Sequence, residues 1–570
     1  MRSHRHPALV FAVILVGMFL LHAPLLQLPY FWDEAGYYVP AARDFLLTGG
    51  VIPHSTISNA HPPLVMAWLA LWWKVVGYAP LVTRSAMLVV ATFSLLGLFR
   101  LAERVANTEV AIASTLCTAL YPVFFAQSSL AQVDLAAAGL TFWGLCAYLE
   151  DRPVAVVIWF SLAALAKETA ILAPLALAGW ELLQFVTRQR GRAALQGRGS
   201  GAASTGASAP VEVVVPQSSP CDKSTESNKL RILPLLLPLL PLTLWYFYHY
   251  ARTGYVFGNP EFFRYNVAAT LNPLRFLLAL ALRLWQTFGY LHLWVLTSAM
   301  LLTMLMPPVR DDGVERQRIS IPIQFFLVIV ATYVVAMALV GGAVLARYML
   351  PAVPLVIIIA VSKLHRRFRY WLAAVAVVGA AFVIGWFWNP PYGFSPEDNL
   401  AYRDYVVLHQ DAERFLEARY PMSHVLTAWP ASDELTRPWL GYTTRPVQVV
   451  RIEDFSLEEL LSAADFHQNG GSQNFEVALV FSTKYEPPPS LLERWMLRHS
   501  KKWDDLKRRF FGFHRDLPPA VAVRILGGKI VFSEERTGQW VAVIEMEQPQ
   551  VQNASLGTVS MPQSSPRTSF

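Results

Sequence analysis

The stretch ALVFAVILVGMFLLHAPLLQL, residues 8–28, followed directly by PYFWDEAGYY, residues 29–38, decides the fold class. Its first part is an apolar run as long as the roughly 20 residues that an α-helix needs to cross a bilayer core. The run follows a basic N-terminus, is too long for a typical signal-peptide core and precedes no small-x-small cleavage site. We therefore expect a retained first membrane span.

The rest of the chain has the composition of a membrane protein. Of its 570 residues, 54% are apolar and 15% are charged, whereas soluble domains carry about 25% charged residues. The prediction is a mostly α-helical, polytopic transmembrane bundle. Apolar runs indicate about 11 spans, near residues 8–28, 81–102, 109–127, 131–149, 153–167, 169–187, 231–251, 284–306, 321–343, 347–362 and 370–389.

The basic residues lie in short clusters between these spans, and alternate loops are rich and poor in them. Because cytoplasmic loops carry the excess of Lys and Arg, the rich set is assigned to the cytoplasm. The N-terminus is then cytoplasmic and, with an odd number of spans, the C-terminus is extracytoplasmic, as in a bacterial-type inner (plasma) membrane protein. The net charge of +7 therefore indicates contact with membrane lipid and no nucleic acid.

Changes in composition divide the chain into regions. Residues 1–389 form the predicted transmembrane domain, with a large first outer loop at 29–80. Within it, residues 188–230 contain a stretch rich in Ser, Gly, Ala and Pro, which predicts a disordered cytoplasmic linker. Helices lying at the membrane interface are expected at 37–48, 63–77 and 273–283.

Charged residues return after about residue 390, and the apolar runs shorten. Residues 390–546 are predicted to form an extracytoplasmic α/β domain, and 547–570 a disordered tail. Helical stretches are expected near 399–418, 456–464 and 489–512. The expected strands are 424–428, 446–451, 476–482, 520–526 and 539–545.

Ionisable residues beside membrane spans are costly to keep, so each is a candidate for function. Each also has an ordinary explanation, such as a loop charge, a residue fixed before proline, a favourable charge at a helix N-terminus or a snorkelling side chain. Several such residues come from five parts of the chain, and all of them lie on the predicted outer side, which favours one shared site. They are Asp33, Glu34, His61, Asp134, Lys167, Glu168 and Arg347.

The order of these motifs resembles the GT-C superfamily of integral-membrane glycosyltransferases. Within it, the chain resembles the branch that holds protein O-mannosyltransferases and the lipid A 4-amino-4-deoxy-L-arabinose transferase. The resemblance covers about residues 8–390, and the remaining residues match only in placement. The matching elements are DEAGYY (33–38), HPPL (61–64), Asp134 at a span start, AKETA (166–170) and RYMLP (347–351).

The resemblance implies a glycosyltransferase whose donor is a sugar on polyprenyl phosphate. The acceptor would be a protein, lipid A or another envelope glycan. Asp33 would be the catalytic base, with Glu34 as a supporting or structural group. Donor phosphate binding is assigned to Arg347, Lys167 and His61, the last at a position where close relatives often carry Lys. Further candidates for the site are Asp134, Glu168 and Tyr348.

The chemistry fits these residue types. A carboxylate within hydrogen-bond reach can take the proton of a hydroxyl that attacks the anomeric carbon. The leaving lipid phosphate is already a stable anion, so it needs positive charge and N–H donors and no general acid. A single displacement would invert the anomeric configuration.

Two other readings remain open at the level of the sequence. A polytopic transporter or flippase of a lipid-linked or small substrate also places charges inside a bundle. An oligosaccharyltransferase using a pyrophosphate-linked glycan would carry a metal-binding acidic set, which Asp33, Glu34 and Asp134 leave open. No clear metal motif is present, so the sequence implies no cofactor firmly, and a divalent metal stays an open but unsupported alternative.

Overall fold

The structure is a computed structural model that describes residues 7–200, 231–260, 272–340, 342–468, 475–485, 509–511 and 516–547. The described chain is mostly helical. Its α-helices are Pro7–His22, Val39–Thr48, Leu64–Val76, Pro80–Val105, Thr108–Leu120, Pro122–Gln127, Asp134–Leu149, Pro153–Ala166, Leu172–Ser200, Leu239–Thr253, Pro273–Phe288, Leu293–Thr303, Ile323–Val340, Val353–Arg367, Trp371–Phe387, Ala401–Arg419, Ala431–Thr436, Leu457–Gln468 and Pro519–Leu526.

Within the described residues, several helices are long and apolar enough to cross a membrane: Pro7–Leu25, Pro80–Val105, Glu168–Thr187, Arg231–Thr253 and Ile323–Val340. Shorter apolar helices of 10–17 residues accompany them, at Leu64–Val76, Thr108–Leu120, Asp134–Leu149, Pro153–Ala166 and Trp371–Phe387. The chain is thus a multi-pass membrane protein, and the count of about 11 spans stays a prediction.

Several predicted spans are interrupted. The run 109–127 forms two helices that meet at Tyr121, because Pro122 cannot continue the first helix and instead begins the second. The run 284–306 is broken near Leu291 and His292, whose φ angles of 44° and 68° are left-handed. The expected interfacial helix 273–283 continues to Phe288 instead of ending before that span.

Two other boundaries differ from the sequence analysis. The helix expected from residue 347 begins at Val353, so Arg347 lies before it in the 3₁₀ turn Ala346–Met349. The helix Leu172–Ser200 continues past residue 188, where the disordered linker was expected to begin. Residues 201–230 of that linker, nearly all of the predicted tail 547–570 and most of the expected helix 489–512 lie outside the described residues.

The strands form two sheets. A small hairpin pairs β1 (Arg310–Asp311) with β2 (Val314–Glu315). The larger sheet has the order β4-β3-β5-β7-β6, with β3 parallel to β4 and β5 and with β7 antiparallel to β5 and β6. Its strands are β3 (His424–Ala428), β4 (Gln448–Ile452), β5 (Val477–Phe481), β6 (Gly528–Arg536) and β7 (Gln539–Met546).

One predicted strand is wrong. Residues 520–526 lie in the helix Pro519–Leu526, which begins with proline at its first position and ends at Gly527 in the left-handed conformation. Proline at the start and glycine at the end are both signals of helix boundaries. The strand was predicted because the apolar pattern of the segment was given more weight than these signals. The strand that follows, β6, was not expected.

The large sheet and the first loop share one hydrophobic core. Tyr30 and Phe31 from the loop belong to the same cluster of buried side chains as Val425 and Val477 from the sheet. The contact is close at Gly36, where an added Cβ would lie 2.6 Å from the ring of Trp429. The segment after β3 therefore packs directly on the DEAGYY motif.

Candidate active site

The DEAGYY motif is held in an unusual backbone conformation. Trp32 has a left-handed φ of 44°, and Glu34–Tyr38 form a single π-helical turn before the helix Val39–Thr48. Such π turns occur often at functional sites. The turn points the neighbouring carboxylates Asp33 and Glu34 into different surroundings.

Arg347 lies at the centre of a buried group of charges. Its Nη2 donates a hydrogen bond to Oδ2 of Asp33 at 2.5 Å. Its Nη1 donates to Oε1 of Gln132 at 2.6 Å and also to Glu397. Its Nε lies 3.3 Å from Oδ2 of Asp134. Because a guanidinium is a planar fork with several donors, this one side chain holds together acids from three separate parts of the chain.

Lys167 completes this group. It follows the helix Pro153–Ala166 in extended backbone, and its ammonium pairs with Oδ1 of Asp134. The same ammonium lies 3.8 Å from the centre of the Tyr348 ring, which is within the range of a cation–π contact. The predicted candidates Asp33, Asp134, Lys167, Arg347 and Tyr348 are therefore brought together.

His61 and Glu168 form a second pair beside Lys167. Nδ1 of His61 lies 3.1 Å from Oε2 of Glu168. The imidazole packs against the rings of Tyr37 and Tyr38, each 5.8 Å away between ring centres. The structure thus joins the HPPL and AKETA motifs to the end of the DEAGYY motif.

Glu34 does not face this group. It is fully buried, its Oε1 lies 2.5 Å from Nη1 of Arg84, and it also accepts hydrogen bonds from the backbone N–H groups of Phe31 and Ala131. Glu34 is therefore tied into an internal ion pair. Arg84 was not singled out from the sequence, although it is a charged residue inside a predicted span and could have been noticed for that reason.

The sequence analysis also missed Gln132, Glu397 and Asp398. Gln132 bridges Arg347 and Glu397, since its Nε2 donates to Oε2 of Glu397 at 3.0 Å. Burial raises the pKa of Glu397. Burial and then the nearby Glu397 raise the pKa of Asp398 to about 8, while the hydroxyl of Tyr290 donates to its Oδ2 at 2.6 Å. Asp398 is thus mainly neutral at pH 7.

Exposure separates Asp33 from the other acids of the group. The side chain of Asp33 is 33% exposed, whereas those of Asp134 and Glu397 are 2% and 3% exposed. One carboxylate oxygen of Asp33 is held by Arg347, and the side chain remains accessible. A small molecule or a hydroxyl group can therefore approach the group of charges at Asp33.

Comparison with known proteins supports the predicted class. The family model described as dolichyl-phosphate-mannose-protein mannosyltransferase matches residues 60–195, a range that includes His61, Asp134, Lys167 and Glu168. No curated protein matches the chain in sequence.

Two solved structures are similar to the chain. ArnT from Cupriavidus metallidurans, bound to undecaprenyl phosphate, is 12% identical with a TM-score of 0.51, over 94% of this chain and 97% of that one. The oligosaccharyltransferase of Archaeoglobus fulgidus, solved with zinc and sulfate, is 11% identical with a TM-score of 0.43, over 94% of this chain and 72% of that one.

The chain is therefore a multi-pass membrane protein with a fold similar to that of ArnT. Its predicted resemblance to the protein O-mannosyltransferases and the aminoarabinose transferase of the GT-C superfamily is confirmed.

Proposed function

We propose that the protein is a glycosyltransferase that moves a sugar from a polyprenyl-phosphate donor to a hydroxyl-bearing acceptor. The acceptor is a protein, lipid A or another envelope glycan, and the transfer takes place on the outer side of the membrane. The family description and the undecaprenyl phosphate bound to ArnT support a lipid-linked donor.

The accessible carboxylate of Asp33 is the observation that carries the proposal. Arg347 fixes one of its oxygens at 2.5 Å, and the side chain is the most exposed acid around that guanidinium. A carboxylate that is oriented and still reachable suits a general base for an incoming hydroxyl. Asp33 takes the proton as the hydroxyl oxygen bonds to the anomeric carbon, and the bond to the lipid phosphate breaks. One such displacement inverts the anomeric configuration.

The cations beside Asp33 bind the leaving phosphate. Arg347 and Lys167 supply fixed positive charge, and His61 lies next to them through its pair with Glu168. Three carboxylates already surround Arg347. Burial raises the pKa of Glu397 and so disfavours its charged form beside the guanidinium. Arg347 therefore both orients Asp33 and contributes charge to the phosphate.

A transporter or flippase is not favoured. The family description and the GT-C fold belong to transferases. The ion pairs of Arg347 also gather acids from the first loop and from the turn Pro396–Asp398, both of which lie outside the apolar helices.

Reconstituted protein tests the proposal. It is incubated in liposomes with polyprenyl-phosphate mannose or polyprenyl-phosphate 4-amino-4-deoxy-L-arabinose and with candidate acceptors. We expect free polyprenyl phosphate and a glycosylated acceptor with inverted configuration, seen by mass spectrometry and NMR. Movement of the intact lipid-linked sugar across the bilayer, without cleavage, would instead establish the transporter alternative.

A further inference from the structure

Three buried side chains converge inside the C-terminal part of the chain, away from Arg347. His409 and Glu413 lie four residues apart on the helix Ala401–Arg419, so they share one face of it, and Glu434 comes from the helix Ala431–Thr436. Nδ1 of His409 lies 2.6 Å from Oε2 of Glu434 and 4.0 Å from Oε1 of Glu413. Each residue offers a ligand atom within 4.8 Å of the other two.

Most of the carboxylate oxygens in this cluster have no hydrogen-bond partner. Both carboxylate oxygens of Glu413 and Oε1 of Glu434 are buried and unpaired among the described residues. The three residues are each 1% exposed or less. Buried polar atoms in native proteins are nearly always satisfied, so several orphans at one place indicate a ligand that completes them.

The charge of the cluster is also unbalanced. Within the described part of the chain, no Lys or Arg forms an ion pair with Glu413 or Glu434. Aromatic rings enclose His409: Tyr405 stacks on its imidazole at 4.0 Å and Phe481 meets it edge-on at 4.6 Å. Burying two ionised carboxylates in such surroundings costs free energy unless a positive charge neutralises them.

A proton and a divalent cation are the two ways to neutralise the cluster. One proton shared between Glu413 and Glu434 makes a single hydrogen bond between two of their oxygens and leaves the other buried oxygens unpaired. A divalent cation matches the charge of two carboxylates, and a neutral imidazole nitrogen beside two carboxylate oxygens is a donor set suited to zinc. Tetrahedral zinc ligands lie about 3.3 Å apart, given zinc–ligand distances of about 2.0–2.2 Å. That separation falls between the two distances measured from His409.

We propose that His409, Glu413 and Glu434 bind one divalent transition-metal ion, for which Zn²⁺ is the best match. The ion joins the helix Ala401–Arg419 to the helix Ala431–Thr436. It does not touch the Arg347 group and has a structural role. This assignment is independent of the proposed transferase activity.

The cluster lies beside the aromatic residues that pack on the loop carrying Asp33. Tyr405, which stacks on His409, also packs against the rings of Phe31 and Trp32 at 5.2 and 5.8 Å. Trp429, which lies just before the second helix, packs on Trp32 at 4.9 Å. The metal therefore fixes the two segments that hold the loop carrying Asp33.

Metal content tests the site directly. The full-length protein, purified in detergent without a metal-affinity tag, is loaded separately with Zn²⁺ and Mn²⁺, passed through a desalting column and analysed by plasma mass spectrometry. We expect one Zn²⁺ per chain in the wild type. Glu413→Gln keeps the shape of the side chain but removes the charge, and should weaken Zn²⁺ binding by about 100-fold or more, since even outer-shell partners are worth 10–100-fold.

A matched control uses the exposed pair His424 and Glu476, whose ring nitrogen and carboxylate oxygen are 3.7 Å apart. The double variant His424→Ala/Glu476→Gln should keep one Zn²⁺ per chain. Full Zn²⁺ content in Glu413→Gln would overturn the assignment. A wild type that retains no metal after loading would also overturn it and would show that a shared proton neutralises the two carboxylates.

A second measurement needs no variant. X-ray absorption at the zinc edge of the wild-type protein should show one imidazole nitrogen and carboxylate oxygens around the metal. A site with sulfur or with several imidazoles would place the metal elsewhere in the chain and refute the proposal.

Discussion

At the residue scale, the adjacent carboxylates Asp33 and Glu34 have opposite surroundings. Glu34 is buried against Arg84, whereas Asp33 is 33% exposed beside Arg347. Glu34→Gln would leave the Arg84 cation buried without its partner, and breaking such a pair costs about 3–5 kcal/mol. We expect a lower melting temperature and a lower amount of protein in the membrane.

A double variant separates stability from catalysis. Glu34→Gln/Arg84→Gln removes both charges but keeps side chains that can hydrogen-bond to the neighbouring backbone. It should restore part of the melting temperature, because the main cost of Glu34→Gln is the unpaired buried cation. A Glu34→Gln protein that melts normally but transfers no sugar would contradict this account and assign Glu34 to the reaction.

Arg347 is expected to be irreplaceable by lysine. The planar guanidinium reaches Asp33, Gln132 and Glu397 at once, and an ammonium is a point charge that cannot keep all of these directions. Arg347→Lys should reduce the transfer rate by at least about tenfold and weaken donor binding, with the protein still folded. The rate and the donor affinity are measured separately in detergent.

The control for that substitution is Arg310→Lys, at an exposed ion pair with Glu315. It should behave as wild type. A fully active Arg347→Lys protein would remove Arg347 from the site, and a fall only in membrane abundance would indicate an anchoring role.

At the scale of elements, the turn Pro396–Asp398 brings two acids against the bundle. The pKa of Asp398 is raised from 3.8 to about 8, first by burial. The native state therefore holds this proton more tightly than the unfolded state. Its contribution to stability is full below about pH 4 and is lost as the pH rises towards 8.

Asp398→Asn should flatten that pH dependence. The melting temperature of the wild type is expected to fall between about pH 4 and pH 8, and that of Asp398→Asn to fall less. Asp312→Asn, in an exposed turn, serves as a control that should follow the wild type. Parallel curves for wild type and Asp398→Asn would show that Asp398 is ionised throughout.

The sequence predicted the helices, strands and motifs better than it predicted which side chains contact Arg347. Charges at predicted span ends identified Asp33, Asp134, Lys167 and Arg347, because burying charge near a membrane is costly wherever it occurs. Glu397 gave no such signal, since it lies in a polar segment after the last apolar helix and reaches Arg347 only through tertiary packing. Gln132 is neutral and escaped a search for ionisable residues.

At the scale of the whole molecule, the orientation follows from the loop charges and remains a prediction. Met422 is 80% exposed in the C-terminal part, which is expected outside the cytoplasm. Cys221 lies in the predicted cytoplasmic linker, and Cys117 and Cys146 are buried. In spheroplasts, a membrane-impermeant maleimide should label Cys221→Ser/Met422→Cys and should label wild-type Cys221 only after permeabilisation. The reverse pattern would invert the orientation and the side of the site.

The central claim is that Asp33 is the base of a transfer from a polyprenyl-phosphate sugar. Asp33→Asn keeps the size of the side chain but cannot take a proton from the acceptor. The most direct measurement is single-turnover transfer by wild type and Asp33→Asn from one defined donor, with donor affinity measured separately and Asp312→Asn as control. The account predicts a rate lower by about 10²–10⁴-fold, the usual contribution of a general base, with donor affinity nearly unchanged. Transfer by Asp33→Asn at close to the wild-type rate would contradict it.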